Sequence, residues 1–224
     1  MRTYVMFPLL LVALFSGACA PGFRLIEPGD DGQRSVIVGD ELVRYTAPKG
    51  YVDKTHEPSS ARLGKVGFLS KDNRLLAVYD SRDRLLEFFT VTTPNELLEK
   101  SATQSQFEVL QSVMTQALEK SCGGGGEKKP TEGFYLEDCR VFPEPQERFS
   151  FVGSCVMVSE KSKSPVKIGY FVSFVLVKGK ILEFSYQGFL LEKDGFEAFI
   201  ARGRAALAAM RFEQNPAVAA DRVQ

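Results

Sequence analysis

A chain of 224 residues, 44% apolar and 25% charged, holds enough material for one sizeable core and reads as a single globular domain. Its 28 Lys and Arg side chains balance 28 Asp and Glu, so the basic excess that nucleic-acid binding requires is missing. Removing residues 1–18 takes away Arg2 and no acid, leaving a net charge of −1.

Those first residues, MRTYVMFPLLLVALFSGA, combine Arg2, an apolar run from Tyr4 to Phe15 and the small residues Ser16, Gly17 and Ala18. The run is short for a bilayer span and suits the apolar region of a secretory signal peptide. Two cleavage patterns compete. Ala18-Cys19-Ala20 fits ordinary signal peptidase, but leaves Pro21 first, which that enzyme class disfavours. Phe15-Ser16-Gly17-Ala18-Cys19 resembles the bacterial lipobox, with Ser16 where Leu is usual; there Cys19 is acylated and becomes the mature N-terminus. Each buried methylene of such acyl chains contributes about 0.8 kcal/mol, so several chains would anchor a domain at a bilayer. Ala20 is not the Asp that marks inner-membrane retention in enteric-type lipoproteins, so the resemblance implies an outer-membrane lipoprotein facing the periplasm. Ordinary cleavage instead implies a soluble periplasmic or secreted form. Residues 19–35, with two Pro, three Gly and paired Asp, read as the lipidated Cys and a tether.

The domain is expected over residues 36–212. Val36–Val38 and Leu42–Tyr45 flank Gly39-Asp40 as a short hairpin. A polar loop from Asp53 carries His56, and strands are expected over Leu63–Ser70, Arg74–Tyr79 and Arg84–Thr92. Thr93-Pro94-Asn95-Glu96 has the makings of a capping box, predicting a long helix to about Lys120 with Leu98, Phe107, Leu110, Met114, Ala117 and Leu118 on its core stripe. Gly123–Gly126 stops it. Phe134–Phe142 and Phe149–Val158 read as strands. Lys178-Gly179 sets a two-residue hairpin that pairs Val175 with Leu182, Ser173 with Phe184 and Phe171 with Tyr186. Both faces of these strands carry apolar residues, so both must be covered. A helix over Gly195–Phe212, with a capping signal at Asp194 and Glu197, closes the domain, and residues 213–224 are expected to be a disordered tail. The fold class is α+β, a mostly antiparallel sheet sandwiched by helices.

This order resembles the fold of the PsbP extrinsic protein of photosystem II and the Mog family of nuclear-import factors. Their initial hairpin ends in a Pro-x-Gly-aromatic turn, matched by Pro48-Lys49-Gly50-Tyr51. The resemblance implies a binding or assembly factor, brings no catalytic residue with it, and leaves the Gly-rich insert and its cysteines unaccounted for.

Three cysteines follow Cys19, an odd number for an oxidising compartment. A Cys122–Cys139 disulfide would close the Gly-rich segment, stabilising by about 3 kcal/mol; Cys139–Cys155 and no bridge are the alternatives. A hairpin register through Pro143–Gln146 places Cys155 opposite Phe134, as a small buried hydrophobe. No metal site is expected, since there is no paired CxxC and His56 is the one histidine. No catalytic set is identified either. Ser164-Pro-Val-Lys167 spells Ser-x-x-Lys at the start of a strand rather than on a helix, and Gly123–Gly126 is separated from Lys128 by Glu127, unlike a phosphate loop. Lys161, Lys163, Lys167, Lys178 and Lys180 read as a solvated, aggregation-blocking edge. No cofactor is implied. The function expected is a non-enzymatic cell-envelope lipoprotein that meets the membrane through its anchor and binds an envelope protein in assembly or stress tolerance. The alternative is a small-ligand carrier or hydrolase with a pocket between sheet and helix.

Overall fold

In the computed structural model, the described residues are 23–26, 33–47, 50–55, 73–82, 87–98, 100–122, 134–142, 150–159, 166–190 and 195–214. They build two antiparallel sheets and two α-helices, an α+β fold. The smaller sheet has the order β1 (Phe23–Ile26), β2 (Gln33–Val38), β3 (Glu41–Thr46), β11 (Arg211–Gln214). The larger runs β4 (Tyr51–Asp53), β5 (Asn73–Ser81), β6 (Phe88–Pro94), β10 (Lys180–Phe189), β9 (Val166–Val177), β8 (Ser150–Ser159), β7 (Phe134–Phe142).

The β9–β10 hairpin has the expected register, from Lys180 opposite Val177 to Phe189 opposite Ile168. Lys178 and Gly179 both adopt positive φ, 47° and 77°, the backbone that a two-residue turn needs to follow the strand twist. β2 and β3 likewise pair about Gly39-Asp40.

One face of the larger sheet carries Ala77, Tyr79, Phe89, Val91, Phe171, Val175, Leu182, Phe184 and Tyr186, all buried. Helices do not cover it alone. The small sheet brings Val36, Val38, Val43 and Tyr45 against it, and helix α2 (Phe196–Ala208) brings Phe199, Ile200 and Ala206. Gly203 gives α2 its close approach: a Cβ there would stand 2.6 Å from the Phe171 ring. The chain after α2 turns into β11 and pairs with β3, where the sequence had suggested a helix to Phe212 and a tail. β1 falls inside the stretch expected to be a tether; Phe-Arg-Leu-Ile pairs along the otherwise open edge of β2.

Helix α1 (Gln104–Cys122) and the segment before it cover the opposite face. The expected helix start at Pro94 is overturned. β6 continues to Pro94, a 3-10 turn spans Asn95–Leu98, and α1 begins only after Thr103. The working capping box is there: Gln106 N donates to Thr103 Oγ1 (3.3 Å) and Thr103 N donates to Gln106 Oε1 (2.7 Å). Pairing of Thr93 with Arg74 in the sheet outweighed its capping propensity. Phe107 is fully buried, with Leu110, Met114 and Leu118 following it down the covered face. α2 is capped by the backbone alone at Gly195, without a side-chain hydrogen bond.

Candidate functional site

Cys122 ends α1 and is joined to Cys139 of β7 by a disulfide, with a Cα–Cα separation of 5.6 Å. Its position follows from a bulge. β7 pairs Glu137 with Val156 and then Arg140 with Ser154, so Asp138 and Cys139 together stand opposite Cys155. Asp138 takes φ 46° at that point. The expected register, Cys155 opposite Phe134, is therefore wrong: Phe134 pairs with Ser159. Cys155 is a free thiol, 2% exposed, and burial pushes its pKa up to about 12. It is a packed hydrophobe beside Tyr170 and Val172, as expected.

Two buried polar clusters flank the core. The first stands on the face shared with α2. Glu87, just ahead of β6, is 2% exposed. Tyr51 Oη donates to Glu87 Oε1 at 2.6 Å and Tyr186 Oη donates to the same oxygen. Arg202 Nη2 donates to Glu87 Oε2 at 3.3 Å, and Arg202 Nε donates to Tyr186 Oη at 2.8 Å. One carboxylate thereby joins β4, β6, β10 and α2. Gly188 leaves room for it: a Cβ there would lie 2.8 Å from Glu87 Cγ. Burial, then the hydrogen bond to Glu87, raises the Tyr51 pKa and pushes Tyr186 up to about 12. Nearby, Tyr45 and Tyr79 share a hydroxyl–hydroxyl hydrogen bond of 3.0 Å, and burial raises both, Tyr79 to about 12.

The second cluster lies on the face toward α1. Ser185 Oγ donates to Glu183 Oε1 at 2.5 Å, and Tyr170 Oη lies 3.2 Å from both. Across the strand pair, Thr92 faces Glu183 and Thr90 faces Ser185. Both threonines are 1% exposed, and among the described residues no hydrogen-bond partner meets either hydroxyl. Such groups are costly to bury unpaired, about 1–3 kcal/mol each.

Of the residues singled out from the sequence, Cys122 and Cys139 are brought together. Cys19, His56, Lys161, Lys163, Ser164, Gly123–Gly126, the expected strand at Leu63–Ser70 and residues 215–224 lie outside the described residues. The three described lysines do not share one solvated edge. Lys167 pairs with Glu137 at 3.0 Å and Lys178 with Asp40 at 3.4 Å. Lys180 is fully buried, contrary to expectation; its ammonium donates to the Leu97 carbonyl and, at 2.7 Å, to that of Lys100, and burial lowers its pKa. The carbonyls at the end of the 3-10 turn have no repeating partner, so a cation is drawn inward to them. Neither polar cluster was found from the sequence. The available signal was polar residues at inward strand positions, Glu183, Ser185, Thr90 and Thr92.

Among the described residues no group of three His, Cys, Asp or Glu side chains is placed to hold a metal ion, and no helix is long and apolar enough to cross a membrane. No protein-family model matches the chain, and no match to it is found among curated proteins.

Proposed function

We propose that this chain is a non-enzymatic cell-envelope lipoprotein, anchored through Cys19, whose α+β domain binds another envelope protein. The observation that carries the reading is the Cys122–Cys139 disulfide, which ties α1 to β7 and belongs to an oxidising compartment such as the one the leader implies. Among the described residues, burial keeps six phenol and thiol groups neutral. Tyr45, Tyr51, Tyr79, Tyr170, Tyr186 and Cys155 are all shifted upward by burial. Neutral phenols and thiols are poor nucleophiles and bases, so these six groups offer no nucleophile to a reaction. The element order, and the turn at Gly50 (φ 88°) leading into Tyr51, favour a PsbP/Mog-like binding domain.

Cys19→Ser is expected to abolish labelled-palmitate incorporation and to release the domain from membranes; unchanged labelling overturns the anchor. Cross-linking followed by pull-down from detergent-solubilised envelopes is expected to recover one partner repeatedly. Val109 and Val113, exposed at 48% and 41% one turn apart on α1, are the first positions to disrupt by Glu. Repeated recovery of nothing removes the partner-binding function.

The cluster of Tyr170, Glu183, Ser185, Thr90 and Thr92 favours the second reading, a small-ligand site between sheet and α1. Thr90→Val and Thr92→Val distinguish the two. In a closed core they stabilise the fold by about 1 kcal/mol each, because an unpaired hydroxyl is replaced by a methyl group of similar shape. In a ligand site the hydroxyls have bound water or ligand, and the same changes destabilise.

A further inference from the structure

The place where the chain enters the domain constrains how an anchored molecule stands on its membrane. β1 begins at Phe23, four residues after Cys19, and Phe23 pairs with Val38 beside the Gly39-Asp40 turn. The same pole of the molecule carries the β9–β10 turn, since Lys178 Nζ lies 3.4 Å from Asp40 Oδ1. It also carries the approach to α1, where Ala102 N donates to Gly179 O at 2.7 Å. The last residue of β11, Gln214, pairs with Glu41 there too. Four residues, fully extended, span at most about 14 Å.

We infer that this pole, built from the Gly39-Asp40 and Lys178-Gly179 turns and the residues leading into α1, is a lipid-facing surface held against the bilayer headgroups. The inference rests on acylation of Cys19 and specifies the orientation of the anchored domain. β9 ends at Val177, next to Lys178, and Gly169 near its start lies nine residues and about 30 Å from Lys178 by strand rise. At that far end, Phe199 of α2 packs where a Cβ on Gly169 would lie, 2.9 Å from its ring. A tether of about 14 Å does not bring both poles to the surface while the strands stand upright. Among the described residues, the small sheet has no exposed large apolar side chain and its outer side carries the Arg44–Glu213 ion pair, 37% and 46% exposed, so nothing there favours lying flat. The far pole, with the start of α2, therefore faces the aqueous compartment, where a partner can reach it.

The test uses the full chain, purified with its native N-terminus and reconstituted in phosphatidylcholine vesicles containing headgroup-nitroxide lipid. Single thiols are placed at Lys178→Cys and, in case that turn tolerates the change poorly, at Ser105→Cys in the first turn of α1. Ala198→Cys, exposed in the first turn of α2, reports the far pole. The native Cys122 and Cys139 are bonded and Cys155 is buried, so a fluorophore goes to the new thiol. Quenching is expected to be several-fold stronger at 178 and 105 than at 198. Equal or reversed quenching on a protein whose N-terminal peptide carries the acyl mass overturns the orientation alone. A peptide without that mass overturns the anchor, and the orientation with it.

Discussion

The two faces of the seven-stranded sheet are built on different principles. Toward the small sheet and α2, rings meet rings: Tyr45 with Phe184 at 5.6 Å, Tyr186 with Phe199 at 4.7 Å, and Phe142 with Phe171 at 6.1 Å. A buried charge there, Glu87, is matched by two phenols and a guanidinium. Toward α1 the buried strand positions include Thr90, Thr92, Glu183, Ser185 and Gln187, and the helix is held at one end by a covalent bond. The first face is stabilised by apolar area in contact. The second has less of it, and uses a disulfide and a lysine drawn inward to hold its cover in place. The expectation is that damage to the first face unfolds the molecule, whereas damage to the second first loosens α1.

Phe199→Ala should be the most harmful single change. It removes a fully buried ring from the centre of the aromatic face, costing about 3–5 kcal/mol, to be read as a global fall in denaturant midpoint. Cys122→Ser together with Cys139→Ser should cost about 3 kcal/mol by the loop-entropy model for a separation of 17 residues. Hydrogen exchange should then rise in α1 before it rises in β9 or β10; uniform acceleration would show that the two faces melt as one. Arg202→Met should cost about 2 kcal/mol, since Glu87 loses its cation but keeps both tyrosine donors. The loss should appear as a lower melting temperature with α2 exchange increased and α1 unaffected.

Alkaline pH probes both faces at once. Folding raises the pKa of Cys155 from 9.0 to about 12, and those of Tyr79 and Tyr186 from 10.0 to about 12. The unfolded chain therefore releases protons first, binds fewer of them than the native state, and is favoured as pH rises from 9 toward 12. Stability lost by pH 10 should be on the order of 2 kcal/mol, shared between Cys155 and the buried tyrosines. Cys155→Ala measured alongside should show a shallower decline, whatever its stability at neutral pH. A flat profile in the parent chain would mean that the thiol is not held neutral.

What was legible in the chain was what local chemistry decides. Lys178-Gly179 closes a hairpin because two positive-φ residues suffice to set it, and the register of Val175 on Leu182 follows. The stripe of α1 and the packing face of α2 came from helical period, and the Cys122–Cys139 pair from a short separation across a helix end. What was not legible depends on residues far apart. β1 and β11 each have a local reading, a tether and a tail, and become strands only because β2 and β3 have open edges to offer. Thr93-Pro94 is capping chemistry that lost to a sheet pairing, and the box formed instead at Thr103 and Gln106. The Asp138 bulge moved Cys155 opposite Cys139 without a glycine to announce it.

By itself, then, the sequence determined the central strands and the packing faces of the two helices, which hairpin is central, and that both sides of the main sheet must be covered. These depend on periodicity, turn backbone and composition, all properties of neighbours in the chain. Only the tertiary structure decided that one of those sides is covered by a second sheet, and that Glu87 meets Arg202 across 115 residues. A buried carboxylate has no local signature. Its cost is fixed by which donors the fold delivers to it, and those arrive from β4, β10 and α2 only once the layers have closed.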